Sequence, residues 1–293
     1  MSKRMLVGAV SLENRHFTKM FLYSLYRNQQ EELCDSLIID NGSQKDDILS
    51  LQREFPHTRF IRNVQHAGVS PAWNQILKQE GYDYYCISNN DVLLGPNFVG
   101  IMKDFMDTHP MCGIASPFCQ DCRQLEAQEI NDRYWSVRGL FRDENQIVRA
   151  MKYTYLDHAS GPDDWSGFDE FCLMCEEKYP LTQTLPQVLG SCFIIRKEVL
   201  NDIGYFDEAF CNDQTKIGLS EDFVFTAKLR NFQEEGKQKW SELLCLSSPI
   251  LHASMQTRGN PVITKQYHQT DPASWEAQRH QNTAKAHGSD LKP

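Results

Sequence analysis

The sequence predicts an α/β protein built on a mostly parallel central sheet flanked by helices. Two features carry that prediction. Short apolar runs alternate with stretches of helical periodicity from Met5 to Asp91, the pattern of a parallel α/β sheet. Two of those runs end abruptly in polar clusters, and open α/β sheets bind ligands just outside the carboxyl ends of their strands. The chain has 293 residues, 41% of them hydrophobic and 24% charged. That suffices for a sizeable core and excludes a disordered or collagenous protein.

Met5–Val10 is a short apolar run and reads as a buried strand. Between Phe17 and Asn28, the residues Phe17, Met20, Phe21, Ser24 and Leu25 fall on one helical face. Leu37–Ile39 is a second strand, stopped by the turn formers Asp40, Asn41, Gly42 and Ser43. Asp47–Phe55 reads as a short helix and Arg59–Ile61 as a third strand. Pro71–Gln79 reads as a helix with Pro71 in its first turn, where a missing N–H costs nothing. Tyr84–Ile87 is a fourth strand, ending at Ser88, Asn89, Asn90 and Asp91. From Ser116 to Pro186 the periodicity breaks down into a stretch rich in Trp, Tyr, Asp and Cys, although Phe171–Tyr179 looks helical. Such an excursion from a sheet edge suits partner recognition. Val188–Arg196 restores a strand, a helix begins at Lys197, another spans Glu221–Arg230, and Leu243–Leu251 is strand-like. The residues from Asp271 onward are polar and read as loosely attached.

Charge and composition exclude several functions. Lys and Arg number 30 against 39 Asp and Glu, a net charge of -9. General nucleic-acid and anionic-membrane binders need a positive field, so neither is expected. The apolar run after Met1–Arg4 is too short for a signal segment or a membrane span, and a cytoplasmic chain is expected. Its ten cysteines are then free thiols rather than a disulfide framework. The glycines form neither a G-x-G-x-x-G fingerprint nor a P-loop, which argues against a dinucleotide enzyme and a P-loop NTPase.

Five blocks of residues, in order, resemble a known family. They are Ile39–Ser43; Gly68 with Ala72, Trp73 and Asn74; Asn89–Val92; Gly190–Arg196 running on to Gly204–Phe210; and Glu221–Asp222 with Arg230. Together they are similar to the family 2 glycosyltransferases of the GT-A fold, in the rhamnosyltransferase-like branch. The resemblance implies a GT-A nucleotide-diphospho-sugar transferase domain over residues 1–255, with 116–186 as an irregular insertion and 256–293 as a polar extension.

The same resemblance distributes roles. It assigns Asp40 to the imide edge of uracil or thymine, and a carboxylate does accept from an imide N–H; by itself the residue also reads as an Asx-turn. It places Asn41, Asn74, Asn90 and Asp91 on the nucleotide sugar. Asn89–Asp91 stands where the family keeps its D-x-D motif, with Asn89 in place of the first acid, so Asp91 supplies the formal charge. A Mn²⁺ or Mg²⁺ ion held there by oxygen ligands would bridge the two phosphates. The resemblance adds His252 to that metal site; a lone histidine after an apolar run also reads as a packed residue. It makes Asp222 the catalytic base of an inverting transfer, with Glu221 as orienting neighbour or second choice. An acidic pair opening a helix also suits the helix dipole. The sequence departs from the family at Val224, where an aspartate is frequent.

The pairs Cys119/Cys122 and Cys172/Cys175 are a candidate four-thiolate zinc site. Their long separation and lack of knuckle glycines argue for scattered free thiols instead. Trp135, Trp165, Asp163 and Asp164 are candidate acceptor contacts, since aromatic faces stack on sugars. The expected partners are a UDP- or dTDP-sugar and an acceptor hydroxyl on a glycan, a protein or, least favoured by the charge, a modified DNA base. A nucleotidyltransferase of related fold is the alternative, and Ser11–Arg15 lacks its glycine- and lysine-rich loop. A non-catalytic sugar-nucleotide or glycan-binding protein is a further one.

Overall fold

The computed structural model describes residues 4–45, 47–119, 166–185, 188–208 and 221–253. Trp135, Trp165, Asp163, Asp164, Cys122 and the extension 256–293 lie outside the described residues.

Four parallel strands begin the sheet: β1 (Met5–Ser11), β2 (Cys34–Asp40), β3 (Thr58–Arg62) and β4 (Tyr84–Asn89). Helix α1 (Arg15–Tyr26) comes after β1 and buries Phe17, Met20, Phe21 and Leu25, the face its periodicity predicts. Its chain continues as a 3₁₀ turn over Arg27–Glu32, and the expected helix after Asp47 is likewise 3₁₀, Ile48–Arg53. Helix α2 (Val69–Leu77) comes after β3, with Pro71 in its first turn as expected. Three elements add to those the sequence predicts before residue 120: β5 (Val92–Leu94), α3 (Phe98–Thr108) and β6 (Cys112–Phe118). The regular fold therefore runs through Ser116–Phe118, which loss of periodicity alone assigns to the insertion. Helix α4 (Ser166–Lys178) includes the helical stretch expected near Phe171. Arg27 pairs with its Asp169 at 2.7 Å, which docks this helix against the end of α1.

The remaining strands, β7 (Thr184–Leu185), β8 (Cys192–Arg196) and β11 (Ser241–His252), complete a nine-stranded sheet in the order β3-β2-β1-β4-β8-β6-β11-β5, where β7 pairs on β11. Strand β8 (Cys192–Arg196) is antiparallel to both β4 and β6. Helix α5 (Lys197–Ile203) and helix α6 (Glu221–Asn231) come next, then a short hairpin of β9 (Gln233–Glu234) and β10 (Lys237–Gln238). Strand β11 (Ser241–His252) runs parallel to β6 and then antiparallel to β5. No helix among the described residues is long and apolar enough to cross a membrane.

Two apolar clusters cover the faces of the sheet. One joins α1 and α3 to the strands through Phe21, Leu25, Met102 and Phe105. The other joins α2, α5 and α6 through Trp73, Val199, Phe206 and Phe225. Phe206 stacks on Phe225 at 4.4 Å and meets Trp73 edge-on at 5.0 Å, geometries that add to simple burial. Arg196 is buried with no carboxylate among its described hydrogen-bond partners. It donates to the carbonyls of Met106, His109 and Cys112 and lies over the Tyr84 ring. A guanidinium there satisfies the end of α3, where orphan carbonyls and the helix dipole favour a cation.

Asn74 joins α2 to the segment before α6. Its Nδ2 donates to Phe206 O and Glu208 Oε1, and its Oδ1 accepts from Phe206 N. Asn74→Ala strips the Phe206 amide and carbonyl of these partners in a buried place. The loss should be roughly 2 to 4 kcal/mol, read as a lower urea midpoint at unchanged m-value. A midpoint equal to the parent's would refute the role of Asn74 as a staple.

Candidate active site

The carboxyl ends of β1, β2 and β4 carry turns that are cross-linked by side chains. Asn90 donates from Nδ2 to Thr18 Oγ1 at 2.9 Å, and the Thr18 hydroxyl pairs with Ser11 at 2.7 Å. Glu13 donates its N–H to Ser43 Oγ, while its carboxylate accepts from the backbone of Gln44 and Lys45. Both Glu13 and Asn14 sit at positive φ, 53° and 54°, a conformation costing about 1 kcal/mol or more per non-glycine residue. The contacts of Glu13 hold that strained turn in place. The sequence offers no sign of this role.

Asp40 ends β2 and is fully buried. Its Oδ1 accepts the Ser43 N–H at 3.0 Å, which is the predicted Asx-turn. Its Oδ2 has no hydrogen-bond partner among the described residues, and Arg62 Nε lies 3.5 Å away. Asn41 ties this turn to the next: its Oδ1 accepts from Asn63 and from the Ala67 N–H, and its Nδ2 donates to Gly68 O. Gly42 has φ 90°, and a Cβ there would lie 2.5 Å from the backbone of Gln65 and His66. Only glycine fits that crossing. Asn41 and Asn74 are thus each engaged in holding backbone.

Asp91 and His252 meet, although they come from distant parts of the chain. The β5–β11 pairing sets His252 opposite Val92, and Ala253 N donates to Asp91 O at 2.8 Å. His252 Nε2 then lies 3.3 Å from Asp91 Oδ1 and 3.4 Å from Asn89 Nδ2. Both residues are about nine-tenths buried. Two cis ligands of an octahedral cation at about 2.1 Å each sit about 3 Å apart. The Asp91–His252 pair fits that spacing, with an oxygen and a nitrogen suited to a hard or borderline divalent ion.

Asp222 and Glu221 open α6 as predicted. Glu221 is buried and Asp222 half-buried. A Cβ on Gly190 would collide with the Asp222 carboxylate, with Cγ only 2.8 Å away. Gly190 precedes Ser191, whose carbonyl accepts the Asn89 N–H at 2.8 Å. The Asp222 carboxylate therefore rests on the backbone that borders the Asn89–Asp91 turn. Val224 is a core residue at 8% exposure. An aspartate in its place would be buried.

The zinc site is not assembled by the described residues. Cys119 packs in the α1–α3 cluster, Cys175 in a separate cluster with Phe118 and Tyr179, and the Cys172 sulfur lies against Gly95. No group of three or more His, Cys, Asp or Glu placed to hold a metal occurs among them.

This arrangement, a mostly parallel sheet with carboxylates gathered at its strand ends, is that of a GT-A glycosyltransferase. The model of "Glycosyl transferase family 2" matches residues 17–204, and the chain belongs to that family. An N-acetylglucosaminyl-diphospho-decaprenol L-rhamnosyltransferase of Mycobacterium tuberculosis is 21% identical over 266 residues, covering 84% of this chain and 72% of that one. Among solved structures, the mannosyltransferase PcManGT of Pyrobaculum calidifontis, in complex with GDP-Man and Mn2+, superposes with a TM-score of 0.54 at 12% identity. That match covers 97% of this chain and 70% of the other. Residues 1–349 of S. aureus TarS in complex with UDP superpose at 0.51 and 13% identity, over 98% and 72% of the two chains. These likenesses establish the GT-A fold.

Burial pushes the thiols of Cys112 and Cys175 up to about 12 and that of Cys172 well above its ordinary value. A raised thiol pKa keeps the group protonated, and the thiolate is the reactive form. Iodoacetamide at pH 8 should leave these three cysteines unmodified in the folded protein and label them after denaturation, as mapped by peptide mass. Labelling of Cys172 or Cys175 in the native state would contradict that burial.

Proposed function

We propose that this glycosyltransferase moves a sugar from a UDP- or dTDP-sugar to an acceptor hydroxyl with inversion, by a single displacement that depends on a divalent cation. The observation that carries the reading is the meeting of Asp91 with His252, where Asn89 and His252 stand 163 residues apart in sequence. The rhamnosyltransferase relative and the solved neighbours with GDP-Man and UDP support a nucleotide-sugar donor.

Asp40 reads the base in this proposal. Its Oδ1 is engaged by Ser43, which leaves Oδ2 to accept. A single acceptor suits the one imide N–H of uracil or thymine. Guanine presents N1–H and an exocyclic amino group side by side and is better served by both oxygens of a carboxylate. Asn90 and Asp91 border the diphosphate, and Asn41 and Asn74 shape the pocket through the backbone they hold. Asp91 and His252 would hold the Mn²⁺ or Mg²⁺ ion. Such an ion, when bound, stabilises charge developing on the diphosphate leaving group.

Asp222 takes the proton of the acceptor hydroxyl as that oxygen attacks the anomeric carbon. Glu221, buried beside it, orients the start of α6 and is the second choice for base. Acceptor recognition falls to the segment 116–186, beyond the parts of it that belong to β6 and α4. The domain spans 1–255, with 256–293 as an extension.

Asp91→Ala should weaken UDP binding in the presence of Mn²⁺ at least about tenfold by calorimetry, since a charged ligand contact is worth roughly 1.5–3 kcal/mol. Equal affinities would remove Asp91 from the metal. Asp222→Asn retains shape without basicity and should lower kcat by roughly a hundredfold, with UDP affinity unchanged. Gly190→Ala should lower kcat in the same manner, because it displaces the Asp222 carboxylate while the end of a flexible side chain yields at little cost to the fold. Full turnover in Asp222→Asn would shift the base to Glu221.

A further inference from the structure

We infer that Arg62 is a second reader of the nucleobase, donating to the ring carbonyl adjacent to the imide N–H that Asp40 accepts. This rests on the uracil or thymine reading of the Asp40 turn.

Asp40 and Arg62 are register partners on the neighbouring parallel strands β2 and β3. Their side chains lie together at the carboxyl end of the sheet. The buried carboxylate and the half-exposed guanidinium, 46% exposed, are 3.5 Å apart between Oδ2 and Nε. That is an ion pair too long and poorly placed to count as a hydrogen bond, so Oδ2 is left with its acceptor capacity while fully buried.

One hydrogen bond tethers the guanidinium, and its exposure leaves it room to turn aside from Oδ2. Its NH2 donates to Ser43 O at 2.8 Å, and Ser43 N in turn donates to Asp40 Oδ1. Ser43 thereby holds acid and base in one frame. A guanidinium has five donors and no acceptor, and among the described residues its hydrogen bonding goes to Ser43 alone. The pair presents an acceptor beside surplus donors. The imide edge of uracil or thymine is the complement, a donor N–H flanked by carbonyl acceptors. Cytosine puts an acceptor at N3, which sets like against like at Asp40, and an amino donor in place of O4, which does the same at Arg62 where O4 is the carbonyl read.

Asp40 has no exposure of its own, and Arg62 is the charged group lying on it. A base that reaches Oδ2 therefore comes into contact with the guanidinium. The residue acts in specificity and has no part in the chemical step.

The test is a thermodynamic cycle between a protein donor and a ligand acceptor. The full chain, as parent, Arg62→Ala and Arg62→Lys, is titrated with UDP, 2-thio-UDP, 4-thio-UDP and CDP in the presence of Mn²⁺. Sulfur in place of a ring oxygen weakens that acceptor and leaves the imide donor in position. The parent should bind one of the two thio analogues several-fold more weakly than UDP. Arg62→Ala should bind UDP about tenfold more weakly, the worth of one charge-assisted hydrogen bond, and should no longer distinguish UDP from that analogue. Arg62→Lys should restore part of the discrimination. An unchanged thermal midpoint in Arg62→Ala separates the effect from unfolding. Equal losses for UDP and both thio analogues would reduce Arg62 to a support of the Asp40 turn and overturn the assignment. A parent that binds CDP as tightly as UDP would show that the base reading itself is wrong, and the Arg62 assignment would fall with it.

Discussion

The site depends on one strand pairing in two directions. Strand β11 runs parallel to β6 from Ser241, then meets β5 antiparallel at Ile250, Leu251 and His252. Its register on β6 slips between Cys245 and Pro249. Pro249 lacks an N–H and so suits a point where the ladder is already broken. A bulge there bends the strand and re-aims its last residues. The bend delivers His252 to Asp91. The buried run Leu244 to Leu251 anchors this path, so hydrophobic burial fixes the position of a polar pair that could not itself organise the fold.

A second constraint is local. The three strand ends that face the proposed nucleotide are tied to one another by Ser11, Thr18 and Asn90, by Glu13 and Ser43, and by Asn41 and Asn63. Each link satisfies a backbone or side-chain group that would otherwise be buried without a partner. The positive φ angles of Glu13 and Asn14 show that the turn conformation is imposed by these contacts. Turns held this way are ordered without a ligand, which would lower the entropic cost of the proposed nucleotide binding.

Much of this is legible in the residues. The strands β1 to β4 and the turns at Asp40 and Asp91 can be read from apolar runs that stop at polar clusters, because strand length and turn chemistry are local properties. The antiparallel sense of β8 is not legible: Cys192–Ile195 is buried on both faces, and a continuous apolar run reads the same in either direction. Helix α3 buries Met102, Phe105 and Met106 at helical spacing, so the sequence does carry its signal. Glu13 is beyond sequence reasoning, since a carboxylate that clamps the amides of Gln44 and Lys45, 31 and 32 residues away, leaves no spacing pattern. His252 is legible only through resemblance; its isolation in sequence hides a partner that the β5–β11 pairing supplies.

The two halves of the site are built by different physics. The half proposed for the donor is a network of short polar contacts between strand ends. The start of α6 is instead held by aromatic packing of Phe225 on Phe206 and by the absence of a side chain at Gly190. Asp222 is only half-buried and packs on glycine, so it keeps access to solvent, as the proposed role of base requires. Asp40 and Asp91, by contrast, are buried in frames that fix their direction. A group that must accept a proton gains from mobility and partial hydration, whereas groups that discriminate a base or hold a charge gain from rigidity. That division accounts for a sequence in which the donor-side residues sit in turns crowded with Asn, Asp and Gly while the proposed base sits at the head of a helix.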